Sequence, residues 1–79
     1  MNYAMSPSTA REMGMRLRAT RMRRGVHHRT AAALAGLPER YYVECEAGLA
    51  LRWADLSVPQ MWRLCDAVGL HPATLFLGL

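Results

Sequence analysis

Apolar residues recur along this chain at intervals of three and four, and the runs are broken by glycine, proline or a capping pattern. Met13, Leu17 and Thr20 fall on one helical face, while Arg16, Arg18, Arg23 and Arg24 fall mostly outside it. Thr9 to Glu12 reads T-x-x-E, a capping box that satisfies free amides at a helix start. A first helix is therefore predicted from Thr9 to about Arg24, stopped by Gly25. Residues 1–8 read as a flexible tail, and 9–79 as one domain.

A second helix is predicted from about His28 to Ala35, ended by Gly36 in the left-handed conformation. Its alanines (Ala31, Ala32, Ala33, Ala35) permit close approach by another helix. Pro38 suits a first helical turn, so a third helix is predicted at once, from Pro38 to about Ala47. Two short helices joined so tightly cross steeply, as in a helix-turn-helix. On the third helix Leu37, Tyr42 and Cys45 share the core side, whereas Glu39, Arg40, Val43, Glu44 and Ala47 face outward. Residues 49–56 (LALRWADL) read as a connection. Ser57 to Gln60 (S-x-x-Q) opens a fourth helix to Val68, with Val58, Met61, Leu64, Cys65 and Val68 on one face. A short fifth helix begins at His71–Pro72. The predicted fold is all-α, a compact bundle of five helices.

Composition sharpens this picture through charge. Of 79 residues 52% are hydrophobic, enough for a packed core, but so small a helical domain often gains stability by pairing with its own copy. The net charge is +4. Residues 1–36 hold seven arginines and one acid, a balance of +6; residues 37–79 hold three arginines and five acids, a balance of −2. No lysine is present. Arginine's planar fork fits phosphate oxygens and guanine edges, so a polyanion is the expected partner. Two cysteines do not make a disulfide framework, no secretory signal is visible, and no apolar run reaches the roughly 20 residues that cross a bilayer. A reduced, cytoplasmic setting is the simplest reading.

The run MGMRLRATRMRRGVHHRTAAALAGLPERYYVECEAG, Met13 to Gly48, resembles the Cro/C1-type (XRE-like) helix-turn-helix family of phage and bacterial repressors. It follows the family pattern without a gap, matching at Gly14, Arg16, Leu17, Arg18, Arg21, Arg24, Gly25, Ala32, Gly36, Glu46 and Gly48. SVPQMWRLCDAVGLHPATLF resembles the family's ending. Departures are His27 for the usual Ser/Thr, His28 for Gln, Pro38 for Ser/Thr, Ala31 and Ala35 for leucines, and a longer loop after Gly48. Tyr42, Trp62 and Met61 are candidates to fill the space beside the alanines.

The resemblance implies a lambda-repressor-like DNA-binding domain whose third helix lies in the major groove of double-stranded DNA. By family position Glu39, Arg40 and Glu44 would read bases, with Val43 against a thymine methyl. His28 and Arg29 at the start of the second helix, Tyr41, and Arg52 in the loop would contact phosphates. Arg21 and Glu46 would form a structural ion pair between the first and third helices. A homodimer on a palindromic operator is implied, with Trp53, Leu75, Phe76, Leu77 and Leu79 as candidates for its interface. Phage regulators, restriction–modification controllers and anti-CRISPR-associated repressors share this size and fold, and autoregulation is the expected mode.

Other chemistries fit less well. His27, His28, Cys45, Cys65 and His71 lack the spacing of a metal site, so no metal or cofactor is expected. No catalytic residues are indicated: an acid pair, a nucleophile–base set and a phosphate-binding glycine loop are all missing from the sequence. An antitoxin-like protein-binding module is the main alternative. A membrane-surface helix is weaker, because the first helix has a meagre apolar face, and no membrane partner is expected.

Overall fold

Six α-helices and no strand occur among the described residues, 6–79, of the computed structural model: α1 (Pro7–Arg23), α2 (His28–Ala35), α3 (Glu39–Glu46), α4 (Ala50–Asp55), α5 (Val58–Val68) and α6 (Pro72–Phe76). The all-α class is as expected, but the bundle has six helices rather than five.

The additional helix is α4, within the segment predicted to be a connection. Trp53 and Leu56 are buried and Ala50 packs against the core, whereas Leu51 is exposed. Residues 50, 53 and 56 thus follow helical spacing. Trp53 anchors the element by donating from Nε1 to the Cys45 carbonyl at the end of α3, 2.8 Å away. Six residues are too few for a helix to hold in water by itself, so α4 depends on this tertiary anchor.

Helix α1 starts at Pro7, not Thr9. Ser6 is the extended residue before it, and Pro7 occupies the first turn, where a missing N–H has no partner to lose. Thr9 and Glu12 therefore lie inside the helix and form no capping box. Glu12 instead accepts a bond from Arg16 Nε at 3.3 Å. Of the tail expected over 1–8, residues 1–5 lie outside the described residues, and Pro7 and Ser8 are helical.

Helix α1 touches α3, α4, α5 and α6. Met13, Leu17, Tyr42, Trp53, Leu64, Val68 and Leu75 are fully buried. The buried alanines of α2 (Ala31, Ala32, Ala35) let it lie closely along α5. Tyr42 and the half-buried Met61 belong to the packing around the core, but Trp62 is 56% exposed and fills nothing there. Val58, expected on the inner face of its helix, is likewise exposed. Ser57 and Gln60 form both halves of the predicted capping box, with bonds of 3.2 and 2.8 Å.

Part of the arginine surplus serves the fold. Arg16 Nη1 donates to the carbonyls of Thr74 and Leu75 at 3.1 and 3.2 Å, and Arg24 Nη2 to that of Gly69 at 3.3 Å. These residues end α6 and α5, where carbonyls lack helical partners.

Two residues expected at a dimer interface, Trp53 and Leu75, are inside the protomer with no exposed surface. A side chain wholly enclosed by its own fold has nothing to offer a second copy. Phe76, Leu77 and Leu79 are exposed.

Candidate nucleic-acid interface

The junction of α2 and α3 is built from local chemistry. His27, standing where a serine or threonine is usual, caps α2 itself: its Nδ1 accepts the Arg29 amide at 3.1 Å. Gly36 adopts φ +72°, and the amides of Gly36 and Leu37 return to the carbonyls of Ala33 and Ala32 at 3.1 and 3.0 Å. Pro38, extended and with no N–H to leave unpaired, then starts α3 at Glu39. This fixes the angle at which α3 leaves α2.

The inner side of α3 is pinned to α1. Arg21 Nε donates to Glu46 Oε2 at 2.6 Å and Nη2 to Oε1 at 3.1 Å; Nη1 reaches the Val26 carbonyl at 2.9 Å. The two side chains are only 12% and 8% exposed. The bond to Glu46 raises the Arg21 pKa above its ordinary value. Gly14 makes the crossing possible, since a Cβ there would meet the Cys45 and Glu46 carbonyl oxygens at 2.6 Å. The Tyr42 hydroxyl is buried nearby without a hydrogen-bond partner. Burial, then the charge of Glu46, pushes its ionisation far upward.

The outer side carries Arg40, Val43 and Ala47, all exposed, with Arg40's side chain 90% so. Glu39 and Glu44 flank them but are not free. Glu39 Oε2 lies 2.8 Å from His28 Nδ1, and its Oε1 accepts from Arg29 Nε at 3.4 Å. Glu44 Oε1 accepts from Arg52 Nε at 2.6 Å, and its Oε2 is 3.8 Å from Arg40 Nε. Arg52 is also 4.0 Å from Asp55 and stacks over the Tyr41 ring at 5.0 Å.

No family model matches the chain, and neither does any curated protein. Among solved structures it is similar to the crystal structure of the restriction–modification controller protein C.AhdI from Aeromonas hydrophila, with a TM-score of 0.74 and 29% sequence identity. The similarity covers 87% of this chain and 98% of that one. In fold and in sequence pattern the chain resembles the Cro/C1-type helix-turn-helix proteins.

The residues expected to read bases lie together on α3, and His28, Arg29 and Arg52, expected on phosphate, lie on α2 and α4. Tyr41, expected on a phosphate, is half-buried, and in the free protein its hydroxyl donates to the Arg52 carbonyl at 3.0 Å, bracing α3 against α4. Arg52 is on a helix rather than in a loop, which is why its guanidinium meets Glu44.

Among the described residues, one group of potential metal ligands comes together: His27, His28 and Glu39, with ligand atoms within 4.8 Å of one another. His27 Nδ1 is already the cap of α2, whereas His28 Nδ1 lies 2.8 Å from Glu39 Oε2 without a hydrogen bond. His71 is elsewhere, capping α6 through the Ala73 amide at 3.1 Å. Cys45 and Cys65 are buried, their thiols pushed up to about 12 and about 11 by loss of solvent, so neither ionises near neutrality. They serve as small hydrophobes. No helix among the described residues is long and apolar enough to cross a membrane.

Sequence reasoning missed three contributors: His27 as a cap, Trp53 as the anchor of α4, and the pairing of the two outward glutamates. The spacing of Ala50, Trp53 and Leu56 was the available signal for α4. The i,i+4 spacing of Arg40 and Glu44 was a local signal for one contact, but the pairs of Glu39 with Arg29 and Glu44 with Arg52 join separate elements.

Proposed function

We propose that the protein is a sequence-specific regulator of transcription that binds double-stranded DNA with α3 in the major groove. The observation that supports this best is the outward face of α3, where a 90%-exposed arginine and two small apolar side chains stand on a helix whose other side is pinned by a nearly enclosed ion pair. Arg40 can give two hydrogen bonds to a guanine, and Val43 can meet a thymine methyl. Glu39 and Glu44 accept from cytosine amino groups when released from their present partners. His28, Arg29 and Arg52 would hold phosphates, fixing the orientation of the domain on the duplex.

The protein acts as a homodimer on an inverted repeat, as a repressor of genes that include its own. The α5–α6 end supports a two-fold contact: Phe76, Leu77 and Leu79 are exposed there beside an apolar groove lined by Val58, Met61, Trp62 and Phe76. Of the regulators that share this size and fold, the likeness to C.AhdI favours a restriction–modification controller.

Protection footprinting across the DNA flanking its gene tests the reading. Paired protected sites centred about one helical turn apart are expected. Uniform cleavage at low salt, with the protein folded and in excess, overturns it. Sedimentation with anionic vesicles, in place of any DNA shift, points to membrane-surface binding instead.

A further inference from the structure

Each acid on the outward face of α3 is bonded to a cation that the proposed function sends to a phosphate. Glu39 accepts from Arg29 of α2 at 3.4 Å, with His28 Nδ1 2.8 Å from its other oxygen. Glu44 holds Arg52 from α4, at 2.6 Å. His28 Nδ1 is closed off from solvent and makes no hydrogen bond in the free protein. Two separate elements that pack on the reading helix thus repeat one arrangement.

We propose that these two carboxylates are built-in stand-ins for DNA phosphate, and that duplex binding is an exchange of partners. The inference rests on α3 being a DNA-reading helix. A carboxylate and a phosphate offer the same cations the same kind of acceptor oxygen. For Arg29 or Arg52 to turn its Nε and full charge to a phosphate, it must leave its glutamate. The freed acid then faces the groove of a polyanion without a counter-charge, which is unfavourable unless a base supplies a donor. Cytosine's amino group does so in the major groove, whereas the acceptor-only edges of guanine do not. On a matching sequence both sides of the exchange are satisfied. On other sequences the cations stay with their acids, fewer phosphates are neutralised, and fewer counterions leave. Arg40 lies outside the arrangement, at 3.8 Å from Glu44 and open to solvent, and is free to approach guanine. Glu39 and Glu44 therefore suppress binding to DNA at large and set selectivity, acting through the cations as much as on the bases.

The test uses the full chain, the duplex that it selects from a random pool, and a shuffled duplex of the same composition. Binding constants are measured over a salt series for the wild type, Glu39→Gln and Glu39→Gln/Glu44→Gln, with thermal melts to verify folding. In the wild type the salt slope on the selected duplex should exceed that on the shuffled one by about two, one for each arginine exchanged. The double variant should bind the shuffled duplex about tenfold tighter or more, with a steeper slope there and a correspondingly smaller preference. Glu39→Gln, at an accessible position, should show part of the same gain by itself. If either folded variant binds the shuffled duplex no better than the wild type, the carboxylates are not stand-ins and the inference fails. If the wild type selects no duplex and binds neither at low salt, the DNA reading itself fails, which is a separate result.

Discussion

Glu44 and Glu46 stand two residues apart on α3, and each has an arginine Nε at 2.6 Å. By distance the two pairs are the same. By surroundings they differ. Arg21 and Glu46 are almost enclosed, share two bonds and tie in the Val26 carbonyl. Glu44 and Arg52 sit in partial contact with solvent, joined by one short bond, with Arg40 and Asp55 within 4 Å. An enclosed pair cannot be given up without stranding a charge, whereas a solvated one has water and salt as substitutes. One helix thus carries a permanent fastening on its inner side and a replaceable one on its outer side. Separation between N and O does not tell them apart; enclosure and the count of additional bonds do.

The largest effect should come from breaking the inner fastening. Glu46→Ala leaves Arg21 without its counter-charge and should cost about 3 kcal/mol, near the low end for an enclosed pair at the edge of a core. For a domain of this size that lowers the melting temperature by more than about 10 °C. A loss under about 1 kcal/mol in urea titrations would show the inner pair to be as replaceable as the outer one. Next, Arg40→Ala should leave the melt unchanged but flatten preference between matched and mismatched sites by about 1–3 kcal/mol, roughly ten- to a hundredfold in relative binding. Arg29→Ala should be milder and of a different kind, with all sequences weakened alike and the salt slope reduced by about one. The smallest effect belongs to the outer fastening. A double-mutant cycle on Glu44→Gln and Arg52→Met, read by urea unfolding, should give a coupling indistinguishable from zero. A large coupling would make that pair part of the scaffold and remove the contrast.

Much of the fold was legible because helix ends announce themselves. Gly25, Gly36, Gly48 and Gly69 all have positive φ, and each follows a helix that the sequence predicts. The Ser57–Gln60 box works as a pattern because both of its bonds lie within four residues. Thr9 and Glu12 spell a similar pattern, but Ser6–Pro7 starts the helix earlier, and a pattern inside a helix has no free amides to satisfy. Helix α4 was hidden because Trp53 holds it through a contact eight residues away. That omission is also why Trp53 looked surplus and was assigned to a dimer surface. Leu75 was misassigned for a related reason: it lies in a short apolar run, and only the packing of α6 on α1 and α5 distinguishes it from Phe76 and Leu77. At the candidate interface, which residues lie on α3 was legible from helical spacing. Which of them are already engaged was not, because Glu39 and Glu44 find partners on other elements, eight to eleven positions away.

The two tryptophans give the protein a pair of native optical reporters. Trp53 is sealed in the core with its indole nitrogen bonded to a carbonyl, so its emission should respond to unfolding and remain shielded from iodide. Trp62 is accessible on the α5–α6 face and should be quenched freely in a lone chain. Replacing either by phenylalanine would therefore allow fluorescence to follow unfolding and self-association as separate signals, without an attached dye.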